Sequence, residues 1–161
     1  MYTFEVTVQI DASPQRVWRA LCDPAEVVQW DSGVAAALDA PTDYPQAGQH
    51  VRWQYRHGLF RILHDRPQTV VAEHTLRSLL AVGPYRFDET YTLGAHDGGC
   101  RLSAAMDVSA ALPLVGGLVA RYHLGPRTRA AVGASLAAIK RHCEAGAARS
   151  ATPLASALFR R

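Results

Sequence analysis

Cysteine is scarce in this chain, and its spacing excludes the structures that cysteine usually builds. The three cysteines, Cys22, Cys100 and Cys143, lie far apart in the sequence. There is no Cys-x-x-Cys spacing and no nearby histidine cluster, so neither a disulfide framework nor a zinc site is indicated. We therefore expect reduced thiols, a cytoplasmic location and no bound metal.

Long apolar runs are also absent. No apolar stretch approaches the ~18–20 residues needed to cross a bilayer. The N-terminal segment MYTFEVTVQIDAS alternates in polarity and does not place a basic segment before an apolar block. The sequence therefore predicts neither a membrane span nor a secretory signal.

The motifs of several large enzyme classes are missing. The chain has no glycine-rich phosphate loop after a strand, no Gly-x-Ser-x-Gly elbow, no His-Glu-x-x-His and no dinucleotide fingerprint. Phosphoryl transfer and nicotinamide chemistry are therefore not indicated.

Lysine occurs once, and the basic side chains are unevenly distributed. Residues 115–161 contain seven arginines and Lys140 against the single acid Glu144, although the net charge of the whole chain is only +3. A basic segment can contact nucleic acid or an anionic surface, but few aromatic side chains accompany these charges for base stacking. We interpret the segment as a solvated helix end followed by a mobile basic tail over residues 147–161, and we expect no nucleic-acid partner.

The composition is that of one globular domain. Hydrophobic residues make up 48% of the chain and charged residues 19%, values that are ordinary for a domain with a hydrophobic core. A chain of 161 residues fits a single core. We therefore predict one domain over residues 1–146.

The N-terminal part predicts one strand and two short helices. Residues 2–11 alternate between apolar and polar side chains, which is the period of a strand with one wet face. Ser13 before Pro14, and Asp23 before Pro24, combine a capping side chain with a proline at the first helical position. The predicted order is strand, helix, helix.

Residues 34–110 alternate in the manner of strands separated by turns. The predicted turns are His57-Gly58, Arg66-Pro67-Gln68, Val82-Gly83-Pro84 and His96-Asp97-Gly98-Gly99. Six antiparallel strands are therefore expected after the helix pair.

A long helix is predicted near the C-terminal end. Gly125-Pro126 is expected to break the helical segment into a lead-in and a main helix. Val132, Leu136, Ile139 and Cys143 recur at helical spacing and form one apolar stripe toward the sheet.

This element order resembles the helix-grip fold of the START-like (SRPBCC) superfamily, which includes birch-pollen allergen relatives, lipid-transfer START domains and bacterial polyketide cyclases. Three segments carry the resemblance: VQIDASPQRVWRALCDPAEVVQW near the N-terminus, HDGGCRLS at the last hairpin and SLAAIKRHCE in the C-terminal helix. The first is similar to the opening signature of the bacterial polyketide cyclase/dehydrase branch. The resemblance implies an α+β fold, with a seven-stranded curved antiparallel sheet around a long C-terminal helix and two short helices after the first strand.

The resemblance also implies an interior cavity between the sheet and the long helix, so the inward-facing side chains are the candidates for ligand contact. Antiparallel pairing about the predicted turns aligns two inward rows across the sheet. The first row is Tyr55, Phe60, His74, Glu89 and Met106, and the neighbouring row is Trp53, Ile62, Ala72, Tyr91 and Ala104.

Glu89 and His74 are the predicted catalytic pair, because they are expected to be cross-strand neighbours in an apolar, aromatic stripe. A buried carboxylate is unfavourable unless it is paired, so Glu89 would be protonated with a raised pKa, or paired with the His74 imidazolium. Either state could exchange protons with a bound ligand. Two other arrangements fit the sequence: the two side chains pair only structurally, or a bulge turns one of them to solvent.

Aromatic and apolar side chains are predicted to form the cavity wall, because aromatic rings with polar tips can orient a ring-containing ligand. The alternative interpretation is that these residues are plain core. The predicted wall consists of Trp30, Trp53, Tyr55, Phe60, Tyr85, Phe87, Tyr91, Met106, Tyr122 and Leu136.

For function, the resemblance implies binding of a hydrophobic, polyketide-like or aromatic small molecule, with cofactor-free cyclisation or dehydration of the lyase or isomerase type as a further step. The strand arginines are all predicted on the outer face, which departs from the inner-strand arginine of the family's aromatases. The alternatives are a non-catalytic lipid or quinone carrier and an interaction module of the chaperone-activator kind, since one fold supports many functions.

Overall fold

The structure, a computed structural model, describes residues 1–150 of the chain and the side chains of residues 1–146. Its elements are β1 (Tyr2–Ile10), α1 (Pro14–Cys22), α2 (Pro24–Trp30), β2 (Val34–Ala37), β3 (Val51–Tyr55), β4 (Ile62–Val71), β5 (Thr75–Val82), β6 (Tyr85–His96), β7 (Gly99–Ala110), α3 (Gly116–Val119) and α4 (Gly125–Ser150), with a π-helical turn at Ala120–Leu124 before α4. The order confirms the predicted α+β helix-grip architecture. None of the helices in residues 1–150 is long and apolar enough to cross a membrane.

One antiparallel sheet holds all seven strands in the order β1-β7-β6-β5-β4-β3-β2. The first strand pairs with the last, with Tyr2 opposite Val108 and Ile10 opposite Cys100. The core lies between the inner face of this curved sheet and the helices. The predicted apolar stripe of α4 is buried in it: Val132, Leu136, Ile139 and Cys143.

Both short helices begin at the predicted caps. The Ser13 hydroxyl accepts a hydrogen bond from the backbone N–H three residues on, at 3.2 Å, and the Asp23 carboxylate accepts one from the N–H two residues on, at 2.9 Å. The Trp30 indole N–H donates to the Ala20 carbonyl at 2.8 Å and so ties α2 to α1. These contacts fix the end of α2, which later contributes to the candidate site.

The C-terminal helical segment continues through Gly125-Pro126, where the sequence predicts a break. Pro126 has no N–H to donate, and the Gly125 N–H bonds to the Ala120 carbonyl five residues back. The chain therefore accommodates the proline with a π-helical turn. The helix runs on to Ser150, past the predicted domain end at residue 146, and residues 151–161 of the predicted tail lie outside the described residues.

The predicted turn at Arg66-Pro67-Gln68 is wrong, because β4 continues through it. The chain turns after Val71, where Glu73 has a φ of 62°. Strand β3 pairs with β4 only as far as Asp65, so no partner on that side requires the N–H that proline lacks. In the pairing of β4 with β5, a bulge directly follows the proline. Every residue of β5 therefore has a partner other than the predicted one.

The register between β3 and β4 also differs from the prediction by one residue. Trp53 pairs with Leu63, where the predicted row places Ile62. The connection between the two strands covers residues 56–61 and is longer than the predicted two-residue turn at His57-Gly58. Because a shift of one residue exchanges the two faces of a strand, Asp65 lies on the inner face of β4.

Candidate functional site

A cavity of about 720 Å³ lies between the inner face of the sheet and the helices α2 and α4. Sites for small molecules usually have volumes of ~300–1,000 Å³. Leu59 and Phe60, in the connection between β3 and β4, line this cavity and are also exposed to solvent by 93% and 42%. The connection therefore forms part of the cavity mouth.

Most of the predicted wall lines the cavity. The residues placed there are Trp30, Trp53, Tyr55, Phe60, Tyr85, Phe87, Tyr91 and Met106. Tyr122 does not line it and is 70% exposed, because the π-helical turn rotates the side chains before α4 about the helix axis. Leu136 does not line it either, since it packs in the closed part of the core with 2% exposure.

His74 lies outside the cavity, so the predicted Glu89–His74 pair is wrong. His74 is exposed in the turn between β4 and β5, with its Nδ1 atom 3.0 Å from the Ala72 carbonyl oxygen. The residue opposite Glu89 on β5 is Ser78, because the β5–β6 turn is tighter than predicted and pairs Val82 directly with Tyr85. The predicted partner on β7, Met106, is confirmed.

Glu89 and Tyr91 occupy successive inward positions of β6 and both line the cavity. Burial raises the pKa of Glu89 from 4.5 to about 8; the nearby carboxyl groups of Asp65 and Asp31 add to the rise, and a hydrogen bond with Tyr91 opposes it. Burial also raises the pKa of Tyr91 well above its usual value. Glu89 is therefore mostly protonated at neutral pH and can donate a proton to an acceptor in the cavity.

Asp65 is the most deeply buried acid of the cavity, with 5% exposure. Its Oδ2 atom accepts hydrogen bonds from the Tyr44 hydroxyl at 2.7 Å and from the Trp53 indole N–H at 3.3 Å. Its Oδ1 atom is buried and has no hydrogen-bond partner among the described residues. Ser78 is near enough to lower the pKa of Asp65 but does not complete a bond to Oδ1. Burial outweighs these contacts and raises the pKa of Asp65.

Asp31 follows α2 and is the third acid that lines the cavity. Its Oδ1 atom accepts a hydrogen bond from the Gly33 N–H at 2.8 Å, a turn that fixes the side chain. Burial raises the pKa of Asp31, and the Gly33 hydrogen bond and the positive field of His57 oppose the rise. In residues 1–146, no group of three or more His, Cys, Asp or Glu side chains is arranged to hold a metal ion.

Sequence reasoning missed the charged groups of the cavity other than Glu89. Asp65 is predicted on the outer face because the predicted hairpin turn is too tight. Asp31 had a readable signal, since an Asp followed by Ser-Gly after a predicted helix is typical of a turn held by the Asp side chain. Arg127 comes from α4, whereas only strand arginines were considered as inward candidates.

Comparison with known proteins agrees with this architecture. CV1439 from Chromobacterium violaceum is similar to this chain with a TM-score of 0.69 at 18% identity, covering 88% of this chain and 96% of its own. TTHA0849 from Thermus thermophilus has a TM-score of 0.68 at 17% identity, with 89% and 98% covered. DynU16, a protein of the dynemicin biosynthetic locus, has a TM-score of 0.67 at 20% identity, with 91% of this chain and 48% of DynU16 covered.

At such low identities these solved structures share the fold with this chain and indicate nothing more specific. The comparison with curated proteins gives no match. A family model, however, covers residues 1–144, from the first strand to near the end of the packed part of α4. By that match the chain belongs to the family described as polyketide cyclase / dehydrase and lipid transport.

Proposed function

We propose that this protein binds a hydrophobic, ring-containing small molecule of the polyketide-like or aromatic type in the cavity between the sheet and α4. The observation that carries the proposal is a cavity of about 720 Å³ walled by aromatic side chains. Burial of apolar ligand surface stabilises such a complex by ~25 cal/mol for each Å² removed from water. Membership of the polyketide cyclase / dehydrase and lipid transport family supports the same class of ligand.

The proposed reaction is cyclisation or dehydration of this ligand by proton transfer. Glu89 is held protonated at neutral pH by its buried position, so it acts as the acid. It protonates a ligand hydroxyl, which leaves as water, or a ligand carbonyl oxygen as a carbon of the same ligand bonds to the carbonyl carbon. The Glu89 carboxylate then takes the proton that the ligand carbon loses, which restores the protonated acid. Tyr91, which hydrogen-bonds Glu89, orients the carboxyl group. The aromatic walls hold the flexible ligand in a conformation in which its reacting atoms are close together.

Carriage of a lipid or quinone without chemistry is the second candidate. The family description includes lipid transport, and most of the cavity wall is apolar or aromatic. An interaction module of the chaperone-activator kind has less support, because that function does not require an open cavity.

Native mass spectrometry of the purified protein, followed by extraction and identification of any bound compound, tests the binding proposal. An aromatic or polyketide-like compound supports the cyclase function and supplies a substrate, whereas a fatty lipid or quinone supports the carrier. A protein that neither retains such a compound nor binds any added one in the cavity contradicts both.

The variant Glu89→Gln then separates catalysis from carriage. It keeps the size of the side chain and removes the titrating proton, so turnover of the extracted compound should fall by about two orders of magnitude or more while binding remains. The matched control is Asp88→Asn, one residue away on the opposite face of β6, where the carboxylate pairs with Arg77. Unchanged turnover in Glu89→Gln removes Glu89 from the mechanism.

A further inference from the structure

The acids that line the cavity lack the counterions that other carboxylates of this protein have. Ion pairs with arginine or lysine are formed by Glu26, Asp39, Asp88 and Glu144. Among the described residues, no ion pair involves Asp31, Asp65 or Glu89. We call these last three residues the acidic wall.

The acidic wall draws its members from separate elements that meet at the cavity. Asp65 projects from β4 and Glu89 from β6, and Ser78 lies between them on β5, directly opposite Glu89. Asp31 approaches from the end of α2. The fields of Asp65 and Asp31 both reach Glu89, since both raise its pKa. A single bound group can therefore interact electrostatically with all three carboxyl groups.

The basic side chains of the cavity do not neutralise this wall. Arg127 reaches the cavity from α4, and its Nη1 atom lies 2.8 Å from Nε2 of His123. His57, at the mouth, packs edge-on against Tyr55 with ring centres 5.9 Å apart, and it lowers the pKa of Asp31.

Neither Arg127 nor His57 is among the main groups that shift the pKa of Glu89 or Asp65. His50, which does not line the cavity, lowers the pKa of Asp65 less than the hydrogen bonds do. Ionisation of Asp65 or Glu89 is therefore not balanced by an ion pair with a basic side chain of residues 1–146.

A second, independent feature of the same wall is an unused acceptor. Asp65 is 5% exposed, lines the cavity, and has a buried Oδ1 atom without a hydrogen-bond partner among the described residues. Leaving a buried carboxylate oxygen unpaired is unfavourable. Aromatic side chains lie beside the two acids: Tyr44 and Trp53 donate hydrogen bonds to Asp65 through the hydroxyl and the indole N–H, and Tyr91 contacts Glu89.

We infer that the ligand carries a protonated amine, held against Asp65 and Glu89 and beside the side chains of Trp53 and Tyr91. This inference rests on the proposed binding function and specifies the polar end of the ligand. It is an alternative to the acid role of Glu89 in the proposed reaction, because an ammonium group held at Glu89 displaces the proton that this role requires. An ammonium group donates the hydrogen bond that Asp65 lacks, supplies the missing positive charge and interacts favourably with aromatic faces. A hydroxyl group satisfies the unpaired oxygen but leaves the charge of the wall unbalanced.

Ammonium binding has a distinct pH dependence. The cation favours the ionised form of Glu89, so its binding releases the proton that burial holds on this residue. Affinity for an amine that remains protonated should therefore rise as the pH increases toward the Glu89 pKa of about 8. Ionisation of Asp65 and Asp31 contributes in the same direction. The other titratable and charged groups that line the cavity are Tyr44, Tyr55, His57, Tyr85, Tyr91 and Arg127.

The test compares two probes of matched size, 2-(2-naphthyl)ethylamine and 2-(2-naphthyl)ethanol, by isothermal titration calorimetry. At pH 8 the amine should bind about tenfold more tightly than the alcohol, the gain expected when a hydrogen bond to a charged group replaces a neutral one. The amine affinity should rise from pH 6.5 to pH 8, and titrations in buffers of different ionisation enthalpy should show proton release. The alcohol should show neither effect.

Variants assign the preference to the acidic wall. Glu89→Gln should remove the proton release and most of the pH dependence, and Asp65→Asn should reduce the ratio of amine to alcohol affinity. Asp88→Asn, on the outer face of β6, should behave as the wild type. Equal affinities of the two probes in the wild type overturn this inference and leave the proposed function standing; failure of both probes to bind overturns both. Tight amine binding that persists unchanged in Glu89→Gln and Asp65→Asn also overturns it.

Discussion

Two groups of carboxyl side chains in this protein have opposite surroundings. Glu26, on α2, is 9% exposed and lies 2.7 Å from Nη1 of Arg16, 3.0 Å from Nε of Arg19 and 2.8 Å from Nε2 of His142. It joins α1, α2 and α4. Burial alone would raise the pKa of Glu26, but the hydrogen bonds from His142 and Arg16 outweigh it and the pKa is lowered.

Asp65 is also buried, and Asp31 and Glu89 are partly buried in the cavity wall. No arginine or lysine of residues 1–146 pairs with these three acids, and their pKa values are all raised. Within the described residues, a buried carboxylate is thus neutralised where it holds helices together, and three carboxyl groups are without an ion pair where they line the cavity. The difference separates a carboxylate that stabilises the fold from carboxyls that are kept available for a ligand.

The largest expected effect comes from breaking the paired group. Glu26→Gln should lower the free energy of unfolding by about 3 kcal/mol, because it leaves two arginines and a histidine without their shared carboxylate. Urea unfolding at pH 7 measures the change. Glu5→Gln, on the exposed face of β1, is the control and should change stability by no more than ~0.5 kcal/mol.

The pH profile sharpens this prediction. Since the folded pKa of Glu26 lies below its usual 4.5, the carboxylate contributes stability above that pH and loses the contribution as the pH falls through the folded pKa. The difference in the free energy of unfolding between wild type and Glu26→Gln should therefore decrease as the pH falls. A difference that is constant from pH 7 to pH 3 contradicts the assignment of the ion pairs to Glu26.

The unpaired group should respond in the opposite sense. Glu89 has a folded pKa raised from 4.5 to about 8, so the folded state loses stability progressively as the pH rises from 4.5 to 8, and the loss is complete above that pH. Glu89→Gln should leave stability unchanged at pH 4 and increase it by on the order of 2 kcal/mol at pH 6. Urea unfolding at the two pH values measures this. A variant that is less stable than the wild type at pH 6 contradicts an unpaired, buried carboxyl at this position.

A smaller effect is expected inside the cavity wall. Tyr44→Phe removes the 2.7 Å hydrogen bond to Asp65 and leaves its Oδ2 atom with the indole of Trp53 as its partner. Stability at pH 7 should fall by ~1–2 kcal/mol, as is typical when a buried acceptor loses a donor. Thermal unfolding gives the change. Tyr85→Phe is the matched control; if it is equally destabilising, the loss does not come from the Asp65 hydrogen bond.

The smallest effect is expected at an exposed pair. Arg77 donates two hydrogen bonds to Asp88 across the outer face of β5 and β6, at 2.9 and 2.7 Å. Surface pairs contribute ~0–1 kcal/mol and are screened by salt. Asp88→Asn should therefore change stability within this range at low salt and less at 0.5 M NaCl. A loss as large as that of Glu26→Gln would remove the distinction between buried and exposed pairs.

The sequence was sufficient for the parts of the fold that depend on local chemistry. The sequence correctly predicts the helix caps at Ser13 and Asp23 and the alternation of β1. It also correctly predicts that Glu89 pairs with Met106 across a short glycine-containing turn. Each depends on residues close in sequence or on a turn whose length is fixed by glycine.

The errors occurred where a turn signal competed with long-range pairing. Pro67 is typical of a turn, but it occupies a part of β4 that has no β3 partner, which no local pattern could show. The displaced turn contains His74 and so keeps it out of the cavity. A separate register error at the β5–β6 turn, where Val82 pairs directly with Tyr85, puts Ser78 opposite Glu89. A one-residue register error hid Asp65 in the same way, because it exchanges the faces of a strand.

The most direct test of the account is the titration of Glu89 itself. Carbon-13 NMR of the side-chain carboxyl groups, with Glu89→Gln identifying the resonance, follows its ionisation in the ligand-free protein. We predict a midpoint near the pKa of about 8 that burial and the neighbouring acids impose. A midpoint near the usual 4.5 would show that a counterion or water neutralises Glu89, and would contradict the claim that the cavity keeps unpaired acids for its ligand.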